Sequence, residues 1–237
     1  MNIATTALFA GALVVSTTGL LIAPVQAAPT CFGMPVTMMG TSGPDELIGQ
    51  ADVSEVIFGA GGDDIIIGGD FYDNGTAGDL LCGGPGDDFV KGARGNDKLN
   101  GGDGDDRVDG TNGADREQGN AGNDRVGDGS FADADAANDI VNGGDGNDVV
   151  VGGWGKDRLS GGAGADRLSD TECDGPTTLD GGGGNDYIKS WSSSFNGNIC
   201  DEVTDRVNGG AGTDTAELDS RDYVVRVEHV TRMTSIP

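Results

Sequence analysis

An aspartate recurs through this chain at nine-residue spacing, each time with glycines ahead of it and an aliphatic residue two places behind. Gly83-Gly84-Pro85-Gly86-Asp87-Asp88-Phe89-Val90-Lys91 runs into Gly92-Ala93-Arg94-Gly95-Asn96-Asp97-Lys98-Leu99-Asn100, and Gly101-Gly102-Asp103-Gly104-Asp105-Asp106-Arg107-Val108-Asp109 follows without a spacer. Carboxylates, together with carbonyls that glycine lets crowd inward at positive φ, are hard oxygen donors. Calcium takes about six to eight such oxygens in a flexible cage. One loop supplies only half of that set, so two stacked loops must share each ion. A nine-residue period with fixed Gly, Asp and aliphatic phases is the pattern of a calcium-binding parallel β-solenoid.

Seventeen versions of the unit fall between residues 40 and 217. The candidate metal ligands at the Asp phase are Asp45, Asp64, Asp79, Asp88, Asp97, Asp106, Asp115, Asp124, Asp139, Asp148, Asp157, Asp166, Asp186, Asp205 and Asp214, with Ser54 and Thr177 standing in the remaining two units. The aliphatic phase is held by Leu47, Val56, Ile66, Leu81, Val90, Leu99, Val108, Val126, Val141, Val150, Leu159, Leu168, Leu179, Ile188 and Val207, with Ala216 near the end and Glu117 as the one inward charge. Three-residue strands with one inward side chain cannot bury a core alone and must stack on their neighbours.

These repeats resemble the hemolysin-type (RTX) calcium-binding repeat family over about three quarters of the chain, and Thr30-Cys31-Phe32-Gly33 through Met39-Gly40-Thr41 resembles the start of small secreted bacterial proteins made almost wholly of such repeats. The resemblance implies an all-β fold, a right-handed parallel β-roll in which two nonapeptides make one coil. It also implies calcium between successive loops, held by the Asp of each and by loop carbonyls. Odd and even repeats then lie on opposite edges. The odd edge carries an Asp in every unit, from Asp45 to Asp214, whereas Ser54 and Thr177 both fall on the even edge. Residues 68–78, 128–138, 170–176 and 190–204, the sizeable departures from the period, each precede an even repeat. A continuous ladder on the odd edge and a broken one on the even edge are expected, with a ceiling of about twelve ions if each needs an Asp from both loops.

Four cysteines suit an oxidising compartment, and their spacing matches no zinc pattern. Cys173 and Cys200 precede repeats stacked one coil apart on the even edge and are expected to pair; Cys31 and Cys82 are then a pair by elimination. Half of the fourteen Lys and Arg follow a ligand Asp directly: Lys98, Arg107, Arg116, Arg125, Arg158, Arg167 and Arg206. Such an outer basic ladder could bind an acidic polysaccharide, but relief of repulsion among neighbouring carboxylates is the favoured reading. Phe71, Tyr72, Phe131, Trp191 and Phe195 gather in the insertions, either as partner contacts or as covers for the broken edge.

The sequence divides into a signal peptide over 1–27, an N-terminal cap over 28–39, the repeats over 40–217 and a C-terminal cap over 218–237. Residues 1–27 are apolar and end in Val25-Gln26-Ala27, with the small residues at −3 and −1 that a signal peptidase reads. A secreted, extracellular mature protein starting near Ala28, without a membrane span, is expected. Tyr223–Val230 reads as one longer strand closing the last coil. The 45 glycines and the net charge of −26 would ordinarily suggest disorder, but a solvated linker has no reason to keep an aliphatic residue in phase with every Asp. That acidity excludes nucleic-acid backbone binding as a main activity. No Gly-x-Ser-x-Gly or His-Glu-x-x-His motif occurs, and the single histidine, His229, stands among cap residues, so no enzyme is expected. The functional reading is a secreted calcium-binding β-roll that folds on binding several ions outside the cell. The alternative is a calcium-dependent adhesive or glycan-binding module using the insertion loops.

Overall fold

One inward side chain per short strand leaves each strand with nothing to pack against but the strands of the next coil, and the chain meets that demand by winding. The computed structural model describes residues 29–69, 77–127, 137–170, 175–190 and 203–233. Among them there is no helix. Two ten-stranded parallel sheets face each other, and the chain alternates between them strand by strand. The first sheet runs from Glu46–Ile48 through strands such as Arg107–Asn112 and Val149–Val151 to His229–Arg232; the second runs from Met38–Met39 through Lys98–Asp103 and Arg158–Ala163 to Tyr223–Val225. The fold is the parallel β-roll.

Register follows the repeat. Val90 pairs with Val108 and Ile66 in the first sheet, and Leu99 with Leu81 and Glu117 in the second. Successive side chains of a strand point to opposite faces, so this register lines every inward residue into one row per sheet. Both rows meet as a single core running from Ile57 to Leu218. Glu117 stands in that row, 1% exposed, between Leu99 and Val141.

The second repeat is out of the expected phase. Ile57, not Val56, faces the core and pairs with Leu81, while Glu55 is buried at the acidic phase and Ser54 is exposed. The segment from Gly49 to Glu55 holds one residue more than uninterrupted loops such as Gly83–Asp88, which moves the side chains of this repeat to the face opposite the one a nine-residue count assigns. Counting nine from Asp45 therefore selected the wrong neighbour.

The ends differ from the expectation in detail. Thr30–Cys31 and Met34–Pro35 form a small antiparallel pair. It is tied to the roll by a Cys31–Cys82 disulfide, with Cα atoms 5.9 Å apart. Met38 already belongs to the second sheet, paired with Ile57. At the far end the expected single strand is two: Tyr223–Val225 closes the second sheet and His229–Arg232 the first. The expected Cys173–Cys200 pair, the aromatic residues of the insertions and the signal segment lie outside the described residues.

Candidate metal centre

Position four of the repeat makes the turn that aims the Asp. Gly104 and its equivalents sit at φ near +139°, where a side chain would be strained. The Asp that follows turns its carboxylate into the roll's edge instead of out to water. All fifteen predicted ligand aspartates fall on the two edges in the expected alternation. Fourteen are buried, and Asp45, in the first coil, is half-buried.

One oxygen of each carboxylate is committed to the backbone. The Asp88 amide donates to Oδ1 of Asp106 at 2.8 Å, the Asp106 amide to Oδ1 of Asp124, and the Asp124 amide to Oδ1 of Asp148. The series is unbroken along the first edge from the Asp45 amide onward, and ends where the Asp214 amide donates to Glu228 Oε2. The second edge runs likewise from Glu55 through Asp79, Asp97, Asp115, Asp139 and Asp157. There the Asp157 amide donates to the Thr177 hydroxyl at 3.2 Å, and the chain resumes through Asp205 to Asp222.

The second oxygen is what matters for chemistry. On the first edge, Oδ2 of Asp64, Asp88, Asp106, Asp124, Asp148, Asp166, Asp186 and Asp214 is buried with no hydrogen-bond partner, as is Oδ2 of Asp97 on the second edge. A buried carboxylate oxygen left without a partner carries a large desolvation cost. Burial accordingly pushes the acids up, Asp88, Asp97, Asp124 and Asp166 to about 6 and Asp79 and Asp106 to about 7. Asp64, Asp148 and Asp186 are raised for the same first reason. Neighbouring carboxylates add a smaller push in the same direction at most of them, as Asp148 does at Asp124.

Glycine at position one completes the space these oxygens face. A Cβ on Gly143 would meet Asp148 Oδ2 and, at 2.5 Å, the carbonyl oxygen of Gly161 in the next coil; Gly119, Gly161 and Gly181 repeat the arrangement. A carboxylate oxygen and a carbonyl oxygen from successive coils thus converge on a cradle that any side chain would fill. Among the described residues no group of three or more His, Cys, Asp or Glu side chains gathers at one point. One acid per loop with carbonyls from two coils is a hard, oxygen-only donor set, which fits calcium and not a softer metal.

Not every carboxylate is left bare. Thr41 bonds Oδ2 of Asp45, Gln50 the Glu55 carboxylate, Ser190 that of Asp205, and both Ser190 and the Asp219 amide that of Asp222. Sequence reasoning missed Glu55, Asp222 and Glu228 as members of the ladders. It also missed a second, outer ladder. Where Asn or Asp stands before a ligand, its side chain can accept an amide from the following coil, as Asp87 does from Asp105, Asp105 from Asn123 and Asn123 from Asn147. The recurrence of Asn or Asp just ahead of the ligand was the available signal.

No curated protein matches the chain. A family model, the RTX calcium-binding nonapeptide repeat, matches four times, over residues 54–74, 83–117, 133–168 and 174–192. Those copies lie on the strands and loops that carry the ladders. The chain carries RTX calcium-binding nonapeptide repeats across residues 54–192, and its edges are those of a calcium-binding β-roll.

Proposed function

We propose that this protein is a secreted calcium-binding β-roll without catalytic activity, which stays open where calcium is scarce and folds on binding several ions outside the cell. The observation that carries the reading is the row of buried, unpartnered Oδ2 atoms from Asp64 to Asp214. Without a cation, folding buries these carboxylates against their preference for water. With one, the same oxygens become ligands, so binding free energy becomes folding free energy. The residues that would hold the ions are the fifteen ligand aspartates, with Glu55, Asp222 and Glu228 extending the two rows. An Asp from both loops of every repeat gives a ceiling of about twelve ions; with Glu55, Asp222 and Glu228 in the rows, nine acid-to-acid steps on the first edge and six on the second raise it to about fifteen. The net charge of −26 keeps the unbound chain expanded. The apolar residues 1–27 ending in Ala27 favour export by the general secretory route.

Residues 28–237 titrated with calcium and followed by far-ultraviolet circular dichroism test this, with magnesium in parallel. A steep coil-to-β transition with calcium alone, reversed by chelator, is expected. A β spectrum already complete in chelator at neutral pH would refute calcium-driven folding.

A further inference from the structure

We propose that the outer face of the second sheet is a binding surface for a linear carboxylated polysaccharide lying along the roll axis. The two sheets share out the basic ladder unequally. On the first sheet Arg107 lies over the Phe89 ring at 5.4 Å and beside Asp109 at 3.8 Å, and Arg167 lies over the Tyr187 ring at 4.8 Å. Arg125, next to Arg107 in the row, is exposed and is the member of this set whose side chain, among the described residues, rests on neither acid nor ring. On the second sheet Lys98, Arg116, Arg158 and Arg206 are exposed, and among the described residues no ion pair, ring or hydrogen bond engages any of their side chains. Charges placed to relieve carboxylate repulsion would be expected to rest on acids, and these four do not.

The register places Lys98 beside Arg116 on paired strands, with Arg158 and Arg206 further along the same row, Ile140 and Thr178 standing at the two steps between. Two residues on, and therefore on the same outer face, runs a row of amides and small polar groups: Asn100, Gln118, Asn142, Ser160 and Asn208, interrupted by Asp180. Asn208 donates to Asp180 at 2.8 Å, so that acid is already satisfied. At the C-terminal end Arg206 and Tyr223 line a cavity with Thr178 and Thr204. The result is a narrow cationic stripe, its charges one or two coils apart (about 4.8 or 9.6 Å), beside a parallel hydrogen-bonding stripe on an otherwise strongly acidic rod.

Guanidinium groups bind carboxylates in two-point fashion, and side-chain amides bind sugar hydroxyls. A thin chain with one carboxylate per sugar fits a stripe one side chain wide. A nucleic acid is thicker and more densely charged, and would bring its phosphates against the acidic edges.

The surface rests on the roll being folded, so the test uses the full secreted chain in calcium, with circular dichroism of each sample confirming the β state. Short oligogalacturonate is the probe, dextran the uncharged control and single-stranded DNA the rival polyanion, read by isothermal titration calorimetry. Oligogalacturonate binding is expected, weakened at least about tenfold in Arg116→Gln/Arg158→Gln and less than about twofold in the charge-matched Arg107→Gln/Arg125→Gln. Equal losses in both double variants, equal or tighter binding of DNA, or no binding by folded wild type would each overturn the proposal. So would calorimetric heats traced by sedimentation to association of the protein with itself.

Discussion

The two edges of the roll carry the same Asp ladder and differ in what satisfies it. Along the first edge, eight consecutive carboxylates from Asp64 to Asp214 leave Oδ2 buried and unpartnered. Along the second the bare oxygen persists at Asp97, but the protein supplies donors near both ends, as Thr41 does for Asp45 where the first edge begins: Gln50 at Glu55, Ser190 at Asp205, and Ser190 with Asp219 at Asp222. Thr177 replaces a carboxylate outright, and its hydroxyl still accepts the Asp157 amide. The difference teaches that the ladder has two separable jobs. Oδ1 knits coil to coil, and any acceptor can do that. Oδ2 calls for a cation, and the second edge has partly relinquished it.

The largest expected effect comes from removing calcium at different pH. Burial raises Asp88, Asp97, Asp124 and Asp166 to about 6 and Asp79 and Asp106 to about 7. A carboxyl raised on folding favours the fold when protonated. Its contribution is therefore full below its unfolded pKa near 4 and lost as pH climbs through the folded value. In chelator, the β spectrum should be present at about pH 4 and disappear between about pH 5 and 7. Calcium at neutral pH should restore it with no net proton release, because the carboxyls of the open chain are already ionised there. A calcium-free roll more stable at neutral than at acid pH would show that the buried acids have other partners.

Next in size is a matched pair of isosteric substitutions. Asp124→Asn keeps the oxygen that accepts the Asp106 amide and removes a charge from the bare edge, so the calcium midpoint of folding should rise about tenfold, near 1.4 kcal/mol. Asp205→Asn, where Ser190 already holds the second oxygen at 2.6 Å, should shift it about twofold or less. Equal shifts would erase the distinction between the edges. The smallest change is a gain: Thr177→Asp restores the missing carboxylate and should lower the midpoint about twofold while adding bound calcium, as counted by equilibrium dialysis. An unchanged count would place the break elsewhere.

Much of this was legible in the sequence, because the repeat couples the inward aliphatic and the ligand Asp at a fixed interval; one observation phases both. Reading failed where glycine was scarce. Between Gly49 and Glu55 no second glycine marks the turn, and adjacent Val56 and Ile57 are equally able to face inward, so the extra residue passed unseen. Packing decides it, since Ile57 reaches Leu81 and buries fully. The closing acids Asp222 and Glu228 were hidden for a related reason, as neither sits in a glycine loop, and only the winding of the last coil brings them under Asp205 and Asp214. One protein donor did leave a trace in the spacing: Ser190, two places after Ile188, stands where Gly92 and Gly101 follow Val90 and Leu99, whereas Gln50 donates through its backbone amide and leaves no side-chain signal.

Anomalous scattering from calcium-loaded crystals tests the central claim most directly. An unbroken row of ions along the first edge between Asp64 and Asp214, with a gap at Thr177 on the second, is the expected result. Ions that pass through the Thr177 step as strongly as through the Asp148 step, or that leave gaps along the first edge, would contradict it.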